Sequence, residues 1–126
     1  IANARDELEI ATYVFSNKEI ADAVIDSIER GADVKIIFDS YNAKKDYSLD
    51  EVLMKKGAKV KFLGGSVKMH NKFIIIDQNS VITGSFNFSN AANRNYENVV
   101  FLNCSNAAKE FKHYFYSLWQ RGREAS

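Results

Sequence analysis

The sequence predicts an α/β domain with helices covering both faces of a mixed β-sheet. Three observations carry that expectation. Strand-like and helix-like segments alternate through the first half of the chain. Each of the first two helical segments opens on a Ser-x-x-Glu pair and closes on a glycine. Further on, "KFIIID" is apolar on both faces of a strand, which places it in the middle of a sheet.

In order along the chain, residues 8–15, "LEIATYVF", alternate as a strand does. "SNKEIADAVIDSIERG" is a helix with Ser16 and Glu19 as its capping box and Ile20, Ala23, Val24 and Ile28 as its apolar stripe; Gly31 stops it. "DVKIIFDS" is the second strand and "YNAKKDY" a polar loop. Ser48 and Glu51 cap a short second helix that ends at Gly57, and "AKVKFL" is the third strand. "VKMHNKFIIID" is a long strand, joined through a turn at Gln78–Asn79 to "SVITG". "ENVVFLN" is a further strand. The closing helix, "SNAAKEFKHYFYSLWQRG", turns Phe111, Phe115, Leu118 and Trp119 inward. Proline is absent, so the helix stops rest on glycine or asparagine.

With 126 residues, the expectation is one domain over residues 1–126. Its 46% apolar and 26% charged content is ordinary for a globular protein, and no apolar run approaches the roughly 20 residues that span a bilayer. The chain opens on Ile1 rather than Met, without a charged and then apolar leader, so a segment upstream of Ile1 is expected. A single cysteine, Cys104, excludes an internal disulfide framework, and with only His70 and His113 no metal site is expected. The net charge is only +1, but from Val52 to Ile76 there are six lysines and no acid. That run is either a solvated helix end and strand edge or a positive surface leading to His70 and suited to an anion.

The polar residues around the apolar run carry the chemistry. On a strand, residues two apart face the same way, so His70 and Lys72 project together while Phe73 and Ile75 cover the other face. Gly84 ends the following strand, which brings Ser85 and Asn87 close to them. An imidazole, an ammonium, a hydroxyl and a carboxamide suit a phosphate. Lysine supplies charge, Ser and Asn donate to non-bridging oxygens, and neutral histidine is a nucleophile. Asp77 has a second reading as a hairpin Asx residue. His113 is expected to be an exposed or satisfied helix residue. Tyr41 with Lys44 and Lys45 is either a rim that stacks on bases and contacts phosphates or a plain solvated loop.

"HNKFIIIDQNSVITGSFN" fits His-x-Lys, four residues, Asp, six residues, Gly-Ser-x-Asn, and so resembles the signature of the phospholipase D superfamily. "YVFSNKEIADAVIDSIERGADVKIIFD" and "NYENVVFLN" extend the likeness to the small single-motif bacterial endonucleases of the Nuc type. The resemblance implies the phospholipase D/nuclease fold, with a further strand and helix start ahead of the position of Ile1. It implies a homodimer, since double-motif relatives set two copies around one site. One His70 would form a phosphohistidine while the other, protonated, donates to the leaving oxygen. Lys72, Asn87 and Ser85 would hold phosphate oxygens. Glu97 would receive the far ring nitrogen of the histidine, and Asp77 would support the motif rather than move protons. Lys68, Lys44 and Lys45 complete the expected substrate contacts. No metal or cofactor is implied, and relatives of this kind often act in the periplasm or cell envelope.

Three functions follow as expectations. The first is a sequence-nonspecific phosphodiesterase acting on DNA, preferentially single-stranded, or on RNA. The second is a phospholipase acting on a membrane lipid such as cardiolipin. The third is a nucleic-acid-binding module that keeps the fold without turnover, against which His70, Lys72, Asp77, Ser85 and Asn87 are all present.

Overall fold

The computed structural model describes residues 5–13, 15–43, 48–64, 67–84 and 99–124. The elements alternate as predicted: β1 (Glu7–Thr12), α1 (Lys18–Glu29), β2 (Asp33–Asp39), a single helical turn α2 (Ser40–Ala43), α3 (Asp50–Lys55) and β3 (Lys59–Leu63). After these come β4 (Phe73–Ile76), β5 (Ser80–Gly84), β6 (Val99–Asn103), α4 (Ser105–Arg121) and a short β7 (Arg123–Glu124). Among the described residues the sheet has seven strands in the order β6-β5-β4-β1-β2-β3-β7. β1, β2 and β3 run parallel, and β4 lies antiparallel to β1 with Ala11 opposite Phe73 and Leu8 opposite Ile76.

The predicted alternation along β4 divides its side chains between two cores. Ile74 joins Leu8, Ile10, Ile36 and Phe38 beneath α1 and α3, which contribute Ala21, Val24 and Leu53. Phe73 and Ile75 join Ala11, Ile37 and Val81 beneath α4, which contributes Ala108, Phe115 and Leu118. Phe111 and Trp119 pack at the margin of the second core, so helices cover both faces. Each fully buried Ile or Phe in these layers contributes about 2 kcal/mol of transfer free energy.

Several local expectations are corrected. The cap of α1 is Asn17, not Ser16: its Oδ1 accepts from the Ile20 N–H at 3.1 Å. The buried face is Ala21, Val24 and Ser27, one step round from the predicted stripe, with Ile20 and Ile28 at its edges. Ser27 is tolerated there because its hydroxyl donates to the Ala23 carbonyl at 3.2 Å. Ser48 does not cap α3; Leu49 precedes that helix, and the buried Ser48 Oγ has no hydrogen-bond partner among the described residues. The turn after β4 comes one residue early. Asp77 and Gln78 take positive φ of 50° and 62°, and the Asn79 N–H donates to the Ile76 carbonyl at 2.9 Å.

The largest correction concerns the long fourth strand. Only residues 73–76 are strand; residues 67–72 precede it without ladder bonds. Its neighbour β1 stops at Thr12, so the chain carrying His70 and Lys72 runs past the end of its partner.

Candidate active site

His70 lies beyond the carboxyl ends of the parallel strands, where open α/β sheets bind ligands. Its ring packs on Tyr13, the residue after β1, with centroids 4.3 Å apart. The Lys72 ammonium sits 2.9 Å from His70 Nδ1 and donates to the His70 carbonyl at 2.8 Å. It also lies over the Tyr13 ring, 5.4 Å from the centroid. An ammonium can only donate, so this contact calls for an accepting ring nitrogen and favours the neutral imidazole. Desolvation lowers the His70 pKa below its ordinary value; the Lys72 and Lys68 charges add to this, while Asp39 opposes it. The ring is nonetheless exposed, which is what a nucleophile awaiting substrate requires.

Side-chain bonds replace the missing ladder. Asp39, which ends β2, is 1% exposed. Its Oδ2 accepts from the Asn42 N–H at 3.1 Å and from Asn42 Nδ2 at 2.9 Å. Its Oδ1 accepts from the Met69 N–H at 3.1 Å, and so holds the residue before His70. Gly64 backs this carboxylate: a Cβ there would lie 2.8 Å from Oδ1, and the φ of 134° suits only glycine. On the other side, the Thr83 hydroxyl donates to the Lys72 carbonyl at 3.3 Å. Sequence reasoning missed Asp39 and Tyr13. The available signal was their position at the ends of β2 and β1, facing the functional end of the sheet.

Of the residues expected to act together, His70, Lys72 and Lys68 are brought to one place. Asp77 is not. Its carboxylate accepts from the N–H groups of Arg5, Asp6 and Glu7 at 2.8–3.2 Å, at the start of β1. His70 packs at the far end of that six-residue strand, roughly 20 Å away at about 3.3 Å per residue. Burial resists ionisation of Asp77, yet the Glu7, Asp6 and Arg5 N–H donors hold its pKa below the usual carboxylate value. Ser85, Asn87, Glu97, Lys44 and Lys45 lie outside the described residues. β5 ends at Gly84 and β6 begins at Val99, and these two residues pair with each other at the Lys72 end of the sheet.

The lysine run also divides. Lys59 pairs with Asp33 at 3.3 Å, and Lys61 donates to the Trp119 carbonyl at 3.1 Å. Lys55 and Lys56 end α3 near the start of β3, at the opposite end of the sheet from His70. The continuous positive surface reduces to Lys68 and Lys72. His113 and Tyr41 are exposed.

Comparison with known proteins agrees with this fold. The family described as cardiolipin synthase, phospholipase D-like domain, matches residues 1–119. A Rickettsia bellii phospholipase D is 38% identical over 112 residues, covering 88% of this chain and 56% of that protein. A mitochondrial cardiolipin hydrolase from Danio rerio is 30% identical over 128 residues, again across 56% of its length. The chain thus spans little more than half of the curated relatives it matches. The crystal structure of Nuc, a phospholipase D family member from Salmonella typhimurium, superimposes with a TM-score of 0.91 at 30% identity. That superposition covers 98% of this chain and 84% of Nuc.

Proposed function

Since this chain belongs to the cardiolipin synthase, phospholipase D-like domain family, we propose that it is a metal-independent phosphodiesterase cleaving single-stranded nucleic acid, DNA first, through a phosphohistidine. The observation that carries this reading is the exposed His70 ring with the Lys72 ammonium 2.9 Å from its Nδ1. A nucleophile and a charge complementary to phosphate stand together, so no cation is needed to offset charge developing on the phosphoryl oxygens.

In the proposed reaction Lys72 withdraws from Nδ1, the ring takes the tautomer with its proton on Nδ1, and the Nε2 lone pair so freed attacks phosphorus as the bond to the leaving oxygen breaks. The His70 of a second copy, protonated, gives its proton to that oxygen. The same ring then takes a proton from water, whose oxygen attacks phosphorus and releases the histidine. Lys72 leaves the imidazole for a phosphate oxygen. Asn87 and Ser85 add donors, Glu97 receives the far ring nitrogen, and Lys68, Lys44 and Lys45 contact neighbouring phosphates. The two His70 rings need opposite protonation states, and the bound phosphate's negative charge favours the protonated form of one of them. The exposed apolar side chains of Val99, Val100 and Phe101, on edge strand β6 at this end of the sheet, support pairing with a second copy.

A lipid phosphodiesterase is the second reading, favoured by the relatives named phospholipase D and cardiolipin hydrolase. Labelled single- and double-stranded DNA, RNA and cardiolipin vesicles, each incubated with the protein in EDTA, separate the two. The proposal expects cleaved single strands and label retained on protein in a denaturing gel. Lipid hydrolysis without any cleaved nucleic acid reverses the ranking, and activity restored only by magnesium refutes the metal-independent step.

A further inference from the structure

We propose that a pocket on the flank of the His70 segment seats the unstacked base of the nucleotide next to the cleaved phosphodiester. This rests on the nuclease reading above and specifies the substrate class of that site.

The pocket holds about 420 Å³, within the range of small-ligand sites, and lies between the segment before β4 and the last two turns of α4. Met69 and Asn71, the residues on either side of His70, form one wall. Leu118 and the Tyr114 ring form the opposite one, and Lys68 and Arg121 also line the cavity. Asn71 Nδ2 donates to the Tyr114 hydroxyl at 3.0 Å and sets the ring's position. Tyr114 is 45% exposed although it belongs to an otherwise inward-facing aromatic stretch. Among the described lining residues none is acidic.

An apolar cleft with one aromatic wall and two cations matches a nucleotide: a flat base for the ring and Leu118, a phosphate for the ammonium and guanidinium. Lys68 joins the two sites, because it lines the pocket and its charge also lowers the His70 pKa. A phosphate held by Lys68 therefore neighbours the one held at His70. A base can enter only after leaving its stack, so the pocket selects single strands over duplex.

The test compares oligothymidylate with an abasic oligomer of the same length, in EDTA, using the whole chain. Wild type is expected to show a KM about tenfold lower for oligothymidylate, a difference within the reach of one base–aromatic contact. Tyr114→Ala removes that preference without changing kcat, and Tyr114→Phe keeps it, which separates the ring from its hydrogen bond to Asn71. Arg121→Gln raises KM for both oligomers. Equal KM values in wild type, or a preference that survives Tyr114→Ala, overturn the pocket while leaving the nuclease reading intact. Cleavage of neither oligomer overturns both. A Tyr114→Ala defect seen only on cardiolipin vesicles makes the occupant a lipid and refutes the base.

Discussion

At the scale of single residues, the functional pair couples the Lys72 charge to a partly desolvated His70 ring. Desolvation and, after it, the Lys72 ammonium penalise a positive charge on His70, so the imidazole stays neutral to a lower pH than an isolated histidine. Replacing Lys72 by Met removes the ammonium's part of that penalty. The His70 ring-proton midpoint in an NMR titration is then expected to move up toward its ordinary value near 6.5. Turnover should fall by about a hundredfold or more, since phosphate loses its nearest cation. An unmoved midpoint would show that the 2.9 Å contact has no electrostatic effect in solution. His70 and Lys72 were legible from the sequence because two-residue spacing and an apolar run mark them. Asp39 was not: its place at the end of β2 signals only that it faces the site, not that its carboxylate accepts from the Met69 N–H thirty residues later.

At the scale of elements, two carboxylates show how position on a strand decides what an acid does. Asp77 opens the turn after β4 and gathers the N–H groups that open β1. Its lowered pKa means that its contribution is present above the unfolded value of about 3.8 and is lost as pH falls through the folded one. Asp77→Asn should lower stability by about 1–2 kcal/mol at pH 7 in urea melts. The difference should shrink toward pH 3. Glu9, in the middle of β1 beneath α4, behaves oppositely. It is 1% exposed and its Oε1 has no partner among the described residues, where Lys112 and Lys35 bind Glu7 and Asp33 instead, each at 2.6 Å. Burial, reinforced by Glu7, outweighs Lys112 and Lys35 and raises its pKa to about 7.

A raised carboxyl pKa costs stability as pH climbs from about 4.5 to about 7, by up to about 3 kcal/mol. Wild type should therefore lose urea resistance between about pH 4.5 and pH 7, and Glu9→Gln should flatten that slope; equal slopes would show that Glu9 is ionised in the fold. Periodicity disclosed these elements but not their ends. The His70 strand looked eleven residues long because its polar half alternates as a strand would, while β1, which would have paired with it, stops at Thr12. The α1 cap moved to Asn17 because serine and asparagine, adjacent there, are equally able to cap.

At the scale of the molecule, a mixed sheet with helices on both faces and a central apolar strand was legible, because alternation and an all-apolar strand dictate them. The fate of the lysine run was not legible, since which end of β3 faces the site depends on its parallel pairing with β2. The proposed mechanism needs more than one chain can hold: a neutral and a protonated His70 around one phosphate. Mixing wild type with His70→Ala after joint refolding tests this most directly, as random pairing fixes the outcome. If each site uses two histidines, activity per wild-type chain falls to about half at equal mixing and to about a tenth with a ninefold excess of variant. Activity per wild-type chain that stays constant at every ratio would mean that one copy of His70 suffices, and would contradict the paired site.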